Sequence, residues 1–294
     1  MMPKEQIEAI KTQYFQAKEI FAAMPTSGQR FKIPREGKES VSAIIYEPVT
    51  RAEDMPALVY LHGGAWIAGD AVQMDEYCRK MADALPGLVV NINYRKLMEQ
   101  PFPYQQYEAA DTVRWLMANA KQWHIDPRKI ILSGGSAGGH IAAGAALLLA
   151  REGIAVAGQL LEFPFLDFTY TEMKENGQFP ELTAQLHGEF FPDLDLEDPE
   201  VSPALAKKEC LHRLPPADFL LATMDPICTP QSVRYAKRLR QAGVAAEYHI
   251  YEGTHGLNKV EVGPDGTVKE VDDYCNPIYM EERKRFIWKC TGKS

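Results

Sequence analysis

The 294-residue sequence has few cysteines, no excess of basic residues and no long apolar run. Its five cysteines are widely scattered and form no CxxC pair, which fits neither a disulfide framework nor a zinc site, so we expect reduced thiols. A net charge of −8 disfavours nucleic acid and anionic membranes as partners, because both bind basic surfaces. A small neutral ligand is easier to accommodate.

No segment has the pattern of a secretion signal or a membrane span. The first 18 residues lack an apolar stretch, and the most apolar run, 141–150, is too short and too rich in alanine to cross a bilayer. We therefore expect a cytoplasmic protein without a membrane partner, and a homo-oligomer is compatible with the sequence. Repeats and low-complexity tracts are also absent, so a single domain over 1–294 is predicted.

Short β-rich runs alternate with helical patterns along most of the chain. The predicted strands are 30–33, 42–46, 57–61, 88–92, 130–132, 159–163, 218–222 and 247–251. The predicted helices are 3–23, 72–85, 104–123, 137–150, 231–242 and 278–288. Alternation of this kind predicts an α/β protein, with about eight strands in a mostly parallel sheet and helices on both faces.

Two segments interrupt the alternation. Residues 167–205 place aromatic side chains among acidic residues and prolines, which indicates an insertion that forms a cap together with the N-terminal helix predicted at 3–23. These aromatics are Phe168, Tyr170, Phe179, Phe190 and Phe191. Residues 258–276 contain two alternating runs around a Pro-Asp-Gly turn, which predicts a small hairpin.

The clearest motif lies at 134–138, where Gly-Gly-Ser-Ala-Gly matches GxSxG between a buried strand and a helix. A sharp turn at this point would expose the Ser136 hydroxyl, and glycines at 134 and 138 give the turn room. The helix that follows directs its first amides to the same place, so the Ala137 N–H is a candidate donor to a developing oxyanion. The alternative is a tight glycine turn that binds phosphate.

A second glycine turn, His-Gly-Gly-Ala-Trp at 62–66, directly follows the strand at 57–61. Glycines here leave backbone N–H groups free to face a tetrahedral intermediate, so Gly63 and Gly64 are the remaining candidate oxyanion donors. Taken alone, the segment would also suit an ordinary turn between a strand and a helix.

A nucleophilic serine needs a base and an acid, which follow an exposed-turn serine in the order acid, then histidine. The chain has seven histidines: His62, His124, His140, His187, His212, His249 and His255. Of these, His255 alone lies in a loop after the last predicted strand. The alternative is a surface-loop histidine without a catalytic role. Asp225 follows the preceding strand and would orient the imidazole. Its alternative role is to cap the next helix.

Together these motifs resemble the hormone-sensitive-lipase-like branch of the α/β-hydrolases, which includes carboxylesterases and acetyl esterases related to xylan and feruloyl esterases. The resemblance covers about residues 40–290 and rests on seven segments in order: 62–66, 93–95, 125–127, 135–139, 201–203, 225–226 and 251–256. It implies the α/β-hydrolase fold, with Ser136, Asp225 and His255 as catalytic triad and Gly63, Gly64 and Ala137 as oxyanion hole. Gly135 and Ala65 depart from the lipase-like pattern towards acetyl and feruloyl esterases.

The expected reaction is hydrolysis of a small-molecule ester with a short acyl group, acetyl among them, through an acyl-enzyme intermediate. No metal or organic cofactor is required. Trp66, Phe165, Met224 and Leu257 are candidate substrate-binding residues, and core packing is the alternative for each. Amide hydrolysis, as by an arylformamidase or peptidase, uses the same triad, and a non-catalytic binding protein on this scaffold is a further alternative.

Overall fold

The computed structural model of the protein describes residues 4–175, 180–191, 193–263 and 267–292. Its strands are β1 (Gln29–Arg35), β2 (Lys38–Tyr46), β3 (Met55–Leu61), β4 (Leu88–Asn93), β5 (Ile125–Gly135), β6 (Gly158–Glu162), β7 (Ala217–Met224), β8 (Ala246–Thr254), β9 (Lys259–Val262) and β10 (Val268–Val271). Its helices are α1 (Lys4–Ala23), α2 (Asp75–Ala84), α3 (Tyr104–Ala118), α4 (Ala137–Arg151), α5 (Thr171–Glu175), α6 (Glu181–Phe190), α7 (Lys208–Leu211), α8 (Cys228–Gln241) and α9 (Pro277–Thr291).

Eight of these strands form one sheet in the spatial order β1-β2-β4-β3-β5-β6-β7-β8. β2 runs antiparallel to both β1 and β4, and each later pair in the sheet is parallel. Every residue of β3 and β6 is buried, as expected for parallel strands covered on both faces. The predicted α/β class and mostly parallel eight-stranded sheet are confirmed.

The bounds of several predicted helices differ in the structure, and α9, predicted at 278–288, runs from Pro277 to Thr291. The pattern at 72–85 begins as a 3₁₀ turn, Ala71–Met74, before α2 starts. The helix predicted at 104–123 was too long: α3 ends at Ala118, because Asn119 leaves helical geometry and its N–H closes the last turn on the carbonyls of Trp115 and Leu116. The helix predicted to begin at 231 begins at Cys228.

Both interrupting segments have regular structure. The segment 167–205 contains α5 and α6, while Phe179, one of its noted aromatics, lies outside the described residues. β9 and β10 pair antiparallel as the predicted hairpin, although its Pro-Asp-Gly turn at 264–266 also lies outside the described part. No described helix has both the length and the apolar content that a transmembrane span requires.

Candidate active site

Ser136 lies between the end of β5 and the start of α4, in a backbone conformation that L-residues rarely adopt. Its φ is 55° and its ψ is −119°. The turn is held by the Ser136 N–H, which donates to the Glu162 carbonyl at 2.9 Å, and by the Ser136 carbonyl, which accepts from the His140 N–H at 3.1 Å. A strained serine at a strand-to-helix turn presents its Oγ away from the sheet.

The predicted serine, histidine and aspartate form a continuous hydrogen-bonded chain. His255 Nε2 lies 2.9 Å from Ser136 Oγ, and His255 Nδ1 lies 2.6 Å from an Asp225 carboxylate oxygen. An ionised carboxylate can only accept, so Nδ1 carries the imidazole hydrogen and Nε2 is left to accept the serine proton. The three residues directly follow β5, β7 and β8, which run parallel and so end at the same edge of the sheet.

Asp225 also performs the capping role that the sequence left open. One carboxylate oxygen accepts from the backbone N–H groups of Ile227 and Cys228 at the start of α8, while the other faces His255. Asp225 is buried, with 5% of its surface exposed. A carboxylate that is held at both oxygens fixes the position of the histidine ring.

The same residues contain one cluster with metal-ligand atoms. Ligand atoms of Asp225, Cys228 and His255 all lie within 4.8 Å of one another. Burial raises the pKa of the Cys228 thiol well above its usual range, which disfavours the thiolate that a metal would need. The arrangement therefore suits a hydrogen-bonded acid and base better than a metal site.

The glycine turn at 62–66 packs directly against the serine turn. A Cβ at Gly63 would lie 3.4 Å from Ser136 Cβ, and a Cβ at Gly64, where φ is +125°, would lie 2.2 Å from the Ala68 carbonyl oxygen. No described residue accepts a hydrogen bond from the backbone N–H of Gly63, Gly64 or Ala137. These three donors are therefore available to an oxygen bound beside Ser136.

Three of the four predicted substrate-binding side chains are buried in packing contacts. Trp66, Phe165 and Leu257 expose 2%, 5% and 0% of their surfaces, whereas Met224 is 46% exposed. The Trp66 indole N–H donates to His140 Nδ1 at 3.0 Å, and the Trp66 ring packs against aromatic rings of the inserted segment. These rings are Phe168, His187 and Phe191. Contact of the four residues with substrate stays a prediction.

A cavity of about 960 Å³ lies on the other side of the glycine turn, and none of those four residues lines it. Gly63 and Gly64 form part of its wall, and α1 contributes Ile10, Tyr14 and Phe21. Its remaining lining is largely polar: Lys18, Asp70, Gln73, Asn93, Lys96, Glu99 and Asp272 are among these residues. The predicted N-terminal helix thus covers a space that opens next to the candidate oxyanion donors.

Sequence reasoning missed two aromatic residues beside the triad. The Phe163 ring lies 4.9 Å from the His255 ring, and a Cβ at Gly135 would lie 3.1 Å from it. The Tyr274 hydroxyl, from the segment after β10, would be 3.7 Å from the same Cβ. Phe163 is the last residue of the strand predicted at 159–163 and could have been noticed there, whereas no sequence signal marks Tyr274.

Comparison with known proteins gives consistent relatives. The pattern of a family described as alpha/beta hydrolase fold matches residues 58–257. Esterase LipI of Mycobacterium tuberculosis is 33% identical over 215 residues, 70% of this chain and 67% of LipI. Carboxylesterase NlhH of the same organism is 32% identical over 222 residues, 72% of this chain and 69% of NlhH. The solved esterase of the archaeon Pyrobaculum calidifontis has a TM-score of 0.75 and 25% identity, covering 97% of this chain and 93% of its own.

Proposed function

The chain belongs to the α/β-hydrolase fold family, in its hormone-sensitive-lipase-like group, and hydrolyses carboxylic esters; from this we propose that it is a serine carboxylesterase for short acyl groups. The observation that carries the proposal is the chain of contacts from Asp225 through His255 to Ser136, at 2.6 Å and 2.9 Å. That geometry suits nucleophilic catalysis by an activated serine.

In the proposed first step, Ser136 Oγ attacks the ester carbonyl as His255 Nε2 takes its proton, and the negatively charged Asp225 stabilises the imidazolium. The tetrahedral intermediate then collapses, the carbon–oxygen bond to the alcohol breaks, and His255 returns the proton to the leaving oxygen. In the second step, a water molecule gives a proton to His255 and attacks the acyl carbonyl. The bond to Ser136 Oγ breaks, His255 returns the proton to Oγ, and the carboxylic acid is released. No other reactant is consumed.

We assign the oxyanion hole to the backbone N–H groups of Gly63, Gly64 and Ala137. Their support is twofold: no described residue uses these donors, and the Gly63 turn abuts Ser136. Each such donor acts more strongly on the developing alkoxide than on the neutral carbonyl, which lowers the barrier of the chemical step.

Short acyl groups are favoured by the bulk next to the serine. Phe163 lies against both the Gly135 backbone and the His255 ring, and it is 5% exposed. A rigid aromatic ring at this position limits the length of the acyl chain that can sit beside Ser136. The relatives named esterase and carboxylesterase agree with ester substrates.

The proposal predicts the effect of Ser136→Ala on the hydrolysis of p-nitrophenyl esters from acetate to decanoate. Wild-type turnover should be highest for acetate to butyrate, and the variant should lose about 10⁶-fold in kcat, because the nucleophile is removed. Ser133→Ala is the matched control, since Ser133 is a buried serine of β5, three residues before Ser136, with no described hydrogen-bond partner for its hydroxyl. Its activity should be that of the wild type.

Other outcomes would redirect the assignment. Equal activity in Ser136→Ala and wild type would remove the serine mechanism. Turnover of 4-nitroacetanilide above that of p-nitrophenyl acetate would favour the amide-hydrolase alternative. Folded protein that binds esters without turning any of them over would point to a binding protein on the hydrolase scaffold.

A further inference from the structure

Lys96 is a buried cation beside the glycine turn at 62–66. The reaction proposed above gives it no role. It lies just after β4, and only 2% of its surface is exposed. Its Nζ donates to the Tyr94 carbonyl at 2.7 Å and to Asn93 Oδ1 at 3.1 Å, and it lies 3.1 Å from His62 Nε2. These three partners take the three ammonium hydrogens, so Lys96 has none left for a ligand in the cavity.

The contact with Lys96 fixes the tautomer of His62. Because Nε2 accepts from the ammonium, the imidazole hydrogen is on Nδ1, which donates to the Gly63 carbonyl oxygen at 2.5 Å. The His62 ring stacks on Tyr94 with centroids 4.5 Å apart and an interplanar angle of 16°. The Tyr94 hydroxyl in turn donates to the His62 carbonyl at 3.0 Å.

The carbonyl that His62 holds belongs to the same peptide plane as the Gly64 N–H. In a trans peptide the C=O and N–H point in opposite directions, so fixing the Gly63 oxygen fixes the direction of the Gly64 amide. Resting on the function proposed above, we propose that Lys96 is a positioning residue that, through His62, holds the Gly63–Gly64 peptide with its amide directed at the oxyanion. Lys96 itself does not touch the substrate.

Charged groups from other parts of the chain surround Lys96 and His62. Burial lowers the pKa of Lys96 to about 7, Asp70, Glu99 and Glu108 raise it, and Lys18 on α1 lowers it further. A neutral amine has two hydrogens for three acceptors, so the hold on His62 weakens as the pH rises through that value. The pKa of His62 is well below its usual range because of burial and of Lys96, which keeps its ring neutral.

The proposal therefore predicts a fall in kcat on the alkaline side of pH 7, measured with p-nitrophenyl acetate from pH 6 to 9. Lys96→Met should lower kcat about 10- to 100-fold at pH 7 with little change in KM, and it should abolish the alkaline fall. Lys96→Arg, which stays charged and keeps its donors, should restore part of kcat without an alkaline fall. Thermal unfolding and near-ultraviolet circular dichroism would establish that each variant is folded.

Two further measurements separate positioning from general destabilisation. If Lys96 acts through His62, Lys96→Met and His62→Phe each break the same chain of contacts, so their losses in kcat will not add in the double variant. His62→Phe keeps an aromatic ring beside Tyr94. Lys18→Met leaves Lys96 in place and removes a cation that lowers its pKa, so the alkaline fall should move to higher pH. This second test does not depend on the folding of any Lys96 variant.

Additive losses, an alkaline fall that persists in Lys96→Met, or no upward movement in Lys18→Met would overturn the inference. These measurements follow the demonstration that Ser136→Ala is inactive. A failure of the inference would therefore leave the serine esterase assignment intact, whereas an active Ser136→Ala would remove the basis of both.

Discussion

At the scale of single residues, the site depends on two glycines whose backbones lie directly against the backbone of a neighbouring element. A Cβ at Gly138 would lie 2.0 Å from the Leu61 carbonyl oxygen, and a Cβ at Gly134 would lie 2.5 Å from the Gly138 carbonyl carbon. Both contacts are with backbone atoms, which cannot rotate away as a side chain can. The start of α4 can therefore lie against the end of β3 only while these positions remain glycine.

Gly138→Ala is expected to displace the start of α4 and with it Ser136 and Ala137. A displacement near 1 Å at reacting groups costs about 100-fold in rate, so kcat for p-nitrophenyl acetate should fall by at least about that factor. Gly188→Ala, on α6, is the control, because a Cβ at Gly188 would have no atom within 4 Å. Wild-type activity in Gly138→Ala would show that the turn tolerates a methyl group.

At the scale of elements, α9 is anchored to the sheet by one buried ion pair. Arg283 and Glu162 are both fully buried, with Arg283 Nε 2.5 Å from the carboxylate, and Arg283 also donates to the Tyr274 carbonyl at 2.7 Å. The Arg283 guanidinium lies over the Tyr274 ring at 4.2 Å. The pair thus connects α9, the segment after the hairpin and β6, whose last carbonyl holds the Ser136 N–H.

Arg283→Met should lower the free energy of unfolding by about 3–5 kcal/mol, because it leaves the Glu162 carboxylate buried without its partner. The double variant with Glu162→Met should recover much of that loss, since no lone charge remains. Arg285→Met, on the exposed side of the same helix, should stay within about 0.5 kcal/mol of the wild type. Urea unfolding measures all three, and equal losses for the two arginines would contradict the argument.

At the scale of the whole molecule, two buried histidines join the inserted segment to the sheet domain. His140 Nε2 lies 2.9 Å from the Val201 carbonyl, and His187 on α6 bonds the Tyr170 hydroxyl and packs on Trp66. Burial lowers the pKa of His140 to about 4 and that of His187 to about 3. Both rings are neutral in the folded protein at neutral pH.

These two residues predict that stability falls with acidification. Below the unfolded histidine pKa of 6.5 the unfolded chain binds protons that the folded chain does not, so stability present above pH 6.5 is lost as the pH falls towards 4. The loss at pH 5 is about 2 kcal/mol for each histidine. His187→Phe keeps an aromatic ring and should remove one such loss between pH 7 and 5 in urea unfolding.

His212→Asn is the control, because His212 is exposed. This variant should lose as much stability between pH 7 and 5 as the wild type. If His187→Phe instead lost as much stability as the wild type, His187 would not be a source of the acid sensitivity.

The sequence by itself determined the fold class and which residues are candidates for chemistry. Continuously apolar runs such as 57–61 require burial on both faces, and the glycines flanking Ser136 require a tight turn, so both are local and visible in the order of residues. Helix ends were less well determined, as at Ala118, because the last turn depends on which carbonyls the next amide reaches.

Only the tertiary structure decided which side chains surround the site. Trp66 and Phe165 are bulky and close to the motifs in sequence, yet they pack into a buried aromatic cluster, while Tyr274 and Lys96 lie beside the two glycine turns. Contacts between residues far apart in the chain, such as Leu61 with Gly134, follow from the order of the strands in the sheet. That order is set by the packing of the whole chain, and no short segment encodes it.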